Sequence, residues 1–130
     1  KTEGGTTWAT SSDARLKTIT GNYSKGLEEV TALQPVSFFY NKENPRSLDP
    51  NTGQVGFVAQ EVQKIFPGAV TEGEDGYLNF SMHEINVALV NAVKELKAEN
   101  DQLKGQNKDI LKRLEKLEHI ILSSQVPDGN

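Results

Sequence analysis

A serine and a lysine five residues apart, near the start of the chain, have the side chains needed for peptide-bond cleavage. The hydroxyl of Ser12 can attack a carbonyl once a base removes its proton. A lysine can be that base where burial lowers the pKa of its ammonium from ~10.4 to about 7–8. Lys17 is the candidate base, since serine–lysine dyads are a known nucleophile–base pair. The spacing alone is weak evidence, and the alternative is that Ser11, Ser12 and Asp13 form a turn or cap while Arg15 and Lys17 face water.

Other classes of site have little support in the sequence. Its two histidines, His83 and His119, are far apart and it contains no cysteine, so neither a metal nor another cofactor is expected. Gly53 and Gly56 fall in a predicted hairpin rather than between a strand and a helix, which argues against a phosphate-binding loop. The 14 basic and 18 acidic side chains leave a net charge of −4, and nothing indicates a nucleic-acid or membrane partner. The longest apolar run, residues 85–93, is too short to cross a bilayer.

The last third of the chain carries the pattern that would bring several copies of the dyad together. Apolar residues recur every seven residues as a d series: Leu89, Leu96, Leu103, Ile110 and Leu117. The a series between them consists of Asn86, Val93, Asn100, Asn107, Leu114 and Ile121. These heptads predict a helix over residues 82–122 that forms a parallel coiled coil, and the asparagines would penalise slipped registers. Opposite charges at the g and e positions agree with this prediction: Glu99 with Lys104, and Arg113 with Glu118.

The heptads indicate an oligomer and leave the number of strands open. Leu111 widens the apolar face, which favours more than two strands. At the start of the helix, Ile85 and Val90 are expected to extend the apolar face onto the globular part. The alternative to a coiled coil is one long helix that folds back on its own domain.

Between the dyad and this helix, residues 12–81 are expected to form a small α+β globular part with short β-hairpins. The predicted elements are a helix over 25–33 with Ser24 as its N-cap, strands at 36–40 and 55–58, a helix over 59–66, and strands at 69–71 and 77–80. Ser81 and Glu84 have the spacing of a capping box for the long helix. A part of this size has a marginal core, so association is expected to be part of folding.

Three further segments complete the predicted organisation. The loop over residues 41–54 is rich in turn formers, and it is expected either to make a contact or simply to tolerate insertion at the surface. Residues 1–11, with several glycines and threonines, are interpreted as the end of an upstream fibrous segment. Residues 123–130 are interpreted as a frayed tail.

Motifs in a particular order resemble those of one known family. The first is Ser12-Asp13-x-Arg15-Leu16-Lys17, the second is Gly-Phe-Val-Ala-Gln-Glu-Val over residues 56–62 followed by Phe66-Pro67, and the heptad helix comes last. Together they resemble the self-cleaving C-terminal intramolecular chaperone domain of bacteriophage tailspikes and tail fibres, the type carried by endosialidase tailspikes and neck appendage proteins. The resemblance covers about residues 10–122.

The resemblance implies a homotrimer that aligns an upstream fibrous stalk of the same polypeptide and then releases itself by autoproteolysis. The cleaved bond would lie between Ser11 and Ser12, with Ser12 as nucleophile and Lys17 as base in a single turnover. Asp13 and Arg15 would shape the turn that brings Lys17 back to Ser12. Cleavage would occur in the host bacterial cytoplasm during virion assembly, and the parent protein would belong to the virion tail or an appendage.

Two residues of the second motif and the nature of the host protein are left with alternatives. Gln60 and Glu61 belong to that motif either because of the helix core or, as the less favoured interpretation, because they support the cleavage site.

Instead of a self-cleaving chaperone, the chain could be a structural trimerisation module without activity. It could also be the release domain of a membrane-anchored transcription factor, since the family has such relatives.

Overall fold

The computed structural model describes residues 10–125. Its regular elements are the helices α1 (Leu27–Ala32), α2 (Ala59–Ile65) and α3 (His83–Ser124), and the strands β1 (Val36–Phe38), β2 (Gln54–Gly56), β3 (Val70–Glu72) and β4 (Leu78–Phe80). Single 3-10 turns lie at Ala14–Leu16 and Pro67–Ala69. The predicted upstream segment and the predicted tail fall largely outside the described residues. Among the residues described, no helix combines the length and the apolar character needed to span a membrane.

Both predicted hairpins are present, with strands shorter than expected. Strand β1 pairs antiparallel with β2, and Val36 lies opposite Gly56. Strand β3 pairs antiparallel with β4, and Val70 lies opposite Phe80. Each hairpin is a separate two-stranded sheet, and such sheets are marginal unless they pack on a helix. The α+β class predicted from the sequence is therefore confirmed for a single chain.

The loop over residues 41–54 is held in place by hydrogen bonds rather than hanging free. The side chain of Asn44 donates to two backbone carbonyls of the loop at 2.9 Å. Arg46 donates to both carboxylate oxygens of Asp75, at 2.7 and 2.8 Å, and to Asn79 at 2.6 Å. The Arg46 guanidinium lowers the pKa of Asp75 from 3.8 to about 2. The first hairpin's loop is thus anchored on the second hairpin.

The predicted helix over 25–33 forms as α1, which begins later than expected. Ser24 is not its N-cap; Gly26 occupies that position, and its N–H donates to the Glu29 carboxylate at 2.8 Å. The Lys25 ammonium lies 5.0 Å from the centroid of the Phe66 ring, so the residue next to Ser24 is held against the core. Contacts between residues distant in sequence therefore accompany the later start of the helix.

The core lies where α2 and its following turn meet the first turns of α3. Its buried members are Val62, Phe66, Ala69, Ile85 and Ala88. Partly buried apolar side chains from α1, the hairpins and α2 pack around them: Val30, Leu33, Phe57, Ile65, Val70 and Phe80. The globular part therefore depends on the beginning of the long helix to complete its core.

The expectation that Ile85 packs on the globular part is confirmed, whereas the same expectation for Val90 is wrong. Ile85 is 2% exposed and Val90 is 61% exposed. Five residues along a helix correspond to a rotation of about 140°, so the two side chains point to different sides. Val90 lies on a flank of α3 outside the buried core.

The start of α3 also differs from the predicted capping box. Met82 is the N-cap, and the Ser81 hydroxyl accepts a hydrogen bond from the His83 N–H at 3.2 Å. The carboxylate of Glu84 does not return to Ser81; it lies over Gly68, where an added Cβ would meet it at 2.6 Å. Packing against the turn at Gly68 therefore replaces the reciprocal cap.

The heptad face of α3 is uncovered along its length. The five d residues are between 40% and 57% exposed, and the apolar a residues Val93, Leu114 and Ile121 are between 48% and 64% exposed. The globular part instead contacts the flank of the helix that carries the c and g positions, through residues such as Ala88 and Ala92. The helix does not fold back on its own domain in the part of the chain that the structure describes.

Candidate active site

Residues 12–17 fold into a tight turn whose shape follows from Asp13. The side chain of Asp13 accepts a hydrogen bond from the backbone N–H of Arg15 at 2.9 Å and caps the 3-10 turn Ala14–Leu16. The backbone N–H of Lys17 donates to the first carbonyl of that turn at 3.2 Å. The chain reverses direction here, so Lys17 comes back toward the residue that precedes Asp13.

The guanidinium of Arg15 closes the turn on its outer side. Its Nε donates to Asp13 Oδ1 at 3.0 Å and its Nη2 donates to Oδ2 at 2.9 Å. The hydrogen bonds from Arg15 lower the pKa of Asp13, and the Asp13 carboxylate raises the pKa of Arg15. Both carboxylate oxygens of Asp13 are occupied by Arg15, which leaves the ammonium of Lys17 to the serine.

Ser12 and Lys17 are in direct contact. The Nζ of Lys17 donates a hydrogen bond to the Oγ of Ser12 at 2.5 Å. If the lysine is deprotonated, the same contact lets its amine accept the hydroxyl proton instead, which is the step that activates a serine.

The dyad is open to water in the single chain. Every residue from Thr10 to Ser24 is exposed. The hydrogen bonds of residues 12–17 all join residues within that turn in the described part of the chain. The geometry of a nucleophile and a base is therefore present without the burial that a lysine base requires.

Gln60 and Glu61, the other predicted site residues, lie at the exposed start of α2. Glu61 pairs with Lys64 at 2.9 Å, and no hydrogen bond in the described residues joins either of the two to the dyad. Two apolar members of the same motif have clear packing roles. Val62 is fully buried, and the Phe57 ring packs edge to face on Phe80 at 6.0 Å.

Metal chemistry gains no support from the described residues. Within residues 10–125, no group of three or more histidine, cysteine, aspartate and glutamate side chains could hold an ion. His119 lies on the far part of α3, well separated in the chain from His83 at its start.

A short segment ties the dyad to the long helix, and sequence reasoning missed it. We call residues 21–25 the tether. The side-chain amide of Asn91 donates to the carbonyls of Tyr23 and Lys25, at 2.8 and 2.9 Å. Asn91 interrupts the apolar run at the start of α3 on an outward heptad position. An amide there without a heptad role was the only sequence signal for this contact.

Glu95 fixes the end of the tether where α1 begins. Its carboxylate accepts the N–H of Leu27 at 2.6 Å. Gly26 is buried beneath it, and a Cβ added at Gly26 would lie 2.8 Å from a carboxylate oxygen of Glu95. The absence of a side chain at this position therefore allows the tether to lie close against α3.

Comparison with known proteins matches the segment that contains the dyad. A family model described as chaperone of endosialidase, and named as a family of peptidases, matches residues 12–71. The match begins at Ser12, includes the turn, α1, the first hairpin and α2, and ends within β3. No curated protein matches the chain.

Proposed function

We propose that the protein is an intramolecular chaperone that cuts itself from an upstream phage fibre, and the proposal proceeds from the match of residues 12–71 to the chaperone-of-endosialidase family. The proposal has two parts, a trimeric clamp made by α3 and a serine–lysine autoprotease made by the turn. The observation that carries it is the contact between Lys17 Nζ and Ser12 Oγ at the first residues of the matched segment. The peptidase name of the family agrees with that chemistry.

The cleavage step uses only groups of the turn and one water molecule. With Lys17 neutral, its amine takes the Ser12 hydroxyl proton while Oγ bonds to the carbonyl carbon of Ser11. The bond from that carbon to the Ser12 nitrogen then breaks, and the lysine returns the proton to the nitrogen. The product is an ester between Ser11 and the Ser12 side chain. Water hydrolyses the ester to a carboxylate at Ser11 and a free Ser12 hydroxyl.

The clamp is the parallel coiled coil of α3. Its a and d side chains are exposed in the single chain, and burying them between helices would remove apolar surface from water. Leu111 at e and Ile120 at g are 58% and 61% exposed and widen this face, which favours three strands over two. The predicted partners Glu99, Lys104, Arg113 and Glu118 form no ion pair within the described chain, so they remain available to a neighbouring helix.

Such a clamp would help fibrous chains to start winding in register. Independent stalk ends lose conformational entropy before any contact between chains compensates for the loss. A coil whose asparagines specify register holds three ends together and lowers that cost. Once the stalk is folded, its unfolding barrier protects it and the clamp is no longer needed. This sequence of events would take place in the host bacterial cytoplasm during virion assembly.

The alternatives make different predictions about the product. An inactive trimerisation module would assemble and remain uncut. A transcription-factor release domain would be joined to a DNA-binding part rather than to a fibre. We favour the phage chaperone because the family description names an endosialidase chaperone.

The mass of the products after expression and folding tests the proposal. We expect a fragment that begins at Ser12, and we expect Ser12→Ala and Lys17→Met each to give an uncut chain of the same oligomeric state. Thr18→Ala, next to the dyad, is the control that should still cut. Cleavage before residue 12 in either dyad variant, or an uncut wild type under all folding conditions, would show that the proposal is wrong.

A further inference from the structure

Two apolar side chains beside Lys17 are largely exposed in the described chain. Leu16 is 73% exposed and Ile19 is 81% exposed, more than any d residue of α3. They lie on either side of Lys17 in the sequence, in a segment without a hydrogen bond to the globular part. Burying these two side chains against a partner would remove apolar surface from water next to Lys17.

The chemistry of the dyad requires a cover at the same place. A lysine acts as a base near neutral pH only where burial disfavours its charged form. The charged groups nearest to it in the turn, Asp13 and Arg15, neutralise each other and cannot replace that burial. The single chain therefore has the geometry of the site but leaves Lys17 exposed to water.

The heptad positions show which side of α3 the tether occupies. The tether hydrogen-bonds to Asn91 at the outward position f and lies beside Val87 and Val90 at b and e, whereas Ile85 and Ala92 at position g face the globular part. In a parallel coiled coil, the e side of one helix adjoins the g side of the next. The tether of one copy would therefore face the side on which its neighbour carries the globular part.

The distance from the tether to the dyad is short enough for a neighbour to reach. Lys17 precedes Gly21 by four residues, which span at most about 14 Å at 3.3–3.6 Å per residue. Helices packed together have axes about 8–10 Å apart. A second copy, whose globular part extends beyond its helix, is thus the nearest available cover for the dyad.

We propose that Leu16 and Ile19 are positioning residues that seat on the globular part of a neighbouring copy when the coil forms, and that this contact takes Lys17 out of water. The inference rests on the proposed function and adds to it the surface that completes the site. Assembly then activates cleavage because the neighbouring copy covers Lys17, which is exposed in the single chain.

Rates of self-cleavage across a pH series test the inference. The variants are Leu16→Ser with Ile19→Ser, the conservative pair Leu16→Met with Ile19→Val, and the control Val55→Ser, which removes an equally exposed side chain on β2 (82%). For the serine pair we expect an assembled chain that cuts at least about tenfold more slowly at pH 7. The pH at which its cleavage rate is half-maximal should rise by about one unit, because one pKa unit changes the fraction of neutral amine tenfold. The conservative pair and Val55→Ser should keep the wild-type profile.

Crosslinking identifies the surface that contacts residue 19. It also tests the inference if the variant with both serine substitutions fails to assemble. The chain contains no cysteine, so Ile19→Cys in a Ser12→Ala background carries a single benzophenone-maleimide label. We expect covalently linked pairs of chains, with the crosslink in the globular part of the partner. Crosslinks confined to the same chain, including its residues 1–9, would overturn the inference.

The outcomes separate this inference from the function on which it rests. A wild type that neither assembles nor cuts refutes the proposed function itself. A wild type that assembles and cuts, together with a serine pair of identical rate and pH profile, refutes only the role of Leu16 and Ile19.

Discussion

The side-chain amide of Asn91 donates to the backbone carbonyl of Tyr23 at 2.8 Å and so ties the segment that follows the dyad to the long helix. A second bond from the same amide reaches the carbonyl of Lys25 at 2.9 Å. These bonds join two regions that are separated by the whole globular part in sequence. The helix that would assemble and the segment that would cut are therefore mechanically connected.

Removing the Asn91 amide should loosen the tether without affecting the coil. Asn91→Ala deletes two hydrogen bonds to backbone carbonyls, so we expect a loss of about 1–2 kcal/mol in the free energy of unfolding. We also expect slower cleavage in an oligomer of normal size, measured by urea denaturation and by the time course of products. Lys112→Ala, at the same heptad position beyond the globular part, is the control. Equal behaviour of the two variants would mean that the tether has no mechanical role.

The turn around Asp13 should control cleavage through geometry. Asp13→Ala removes the acceptor for the Arg15 backbone and guanidinium, so Lys17 would no longer be held next to Ser12. We expect the cleavage rate to fall on the order of tenfold or more, because small displacements of a reacting group have large effects on rate. Asp13→Asn, which keeps an oxygen for the backbone bond, should retain more activity than Asp13→Ala. The reverse order would contradict the capping role.

Charges placed in the heptad face should abolish assembly and cleavage together. Leu103→Asp with Ile110→Asp puts two carboxylates where apolar side chains would meet, so sedimentation should show monomers and no fragment should appear. The control, Gln102→Asp with Gly105→Asp, adds the same charge at outward positions and should leave assembly and cleavage unchanged. A side chain fits at position 105, since nothing lies within 4 Å of a Cβ added there. If monomers still cleave themselves, cleavage does not depend on assembly and the prediction is wrong.

The anchor between Arg46 and Asp75 should give a stability contribution that depends on pH. The pKa of Asp75 is lowered from 3.8 to about 2 in the folded chain, so the folded state favours the carboxylate. The contribution is present above 3.8 and is lost as the pH falls toward about 2. We expect the urea midpoint of wild type to exceed that of Asp75→Asn at pH 6, with the gap closing over this interval. A gap that persists at pH 2 would assign the effect to something other than the ion pair.

Local patterns in the sequence predicted the secondary structure better than the contacts that position it. The heptads determine α3 because apolar residues repeat along one helix face, and the turn formers place both hairpins. The start of α1 could not be predicted from the capping preference of Ser24, since residues distant in sequence hold it: Lys25 packs on Phe66 and the Leu27 N–H donates to Glu95. For the same reason Glu84 lies over Gly68 instead of capping its own helix.

The candidate site likewise has a part that the local sequence predicts and a part that depends on distant contacts. Ser12, Asp13, Arg15 and Lys17 lie within six consecutive residues, so their arrangement depends on a turn that Asp13 can cap by itself. The tether depends on Asn91 and Glu95, which contact residues more than sixty positions away. Nothing in the local sequence indicates which distant carbonyl an exposed amide will bind.

Within residues 10–125, every hydrogen bond of the turn that holds Ser12 and Lys17 lies on the C-terminal side of Ser11. A stalk severed there would keep an ordinary carboxylate end and no fragment of the cutting apparatus. The discarded piece would retain the whole apparatus, with a new amino terminus on the very residue that bears the hydroxyl. Mature fibres would then be inert toward further trimming, while the spent clamp could be recognised by its terminal serine.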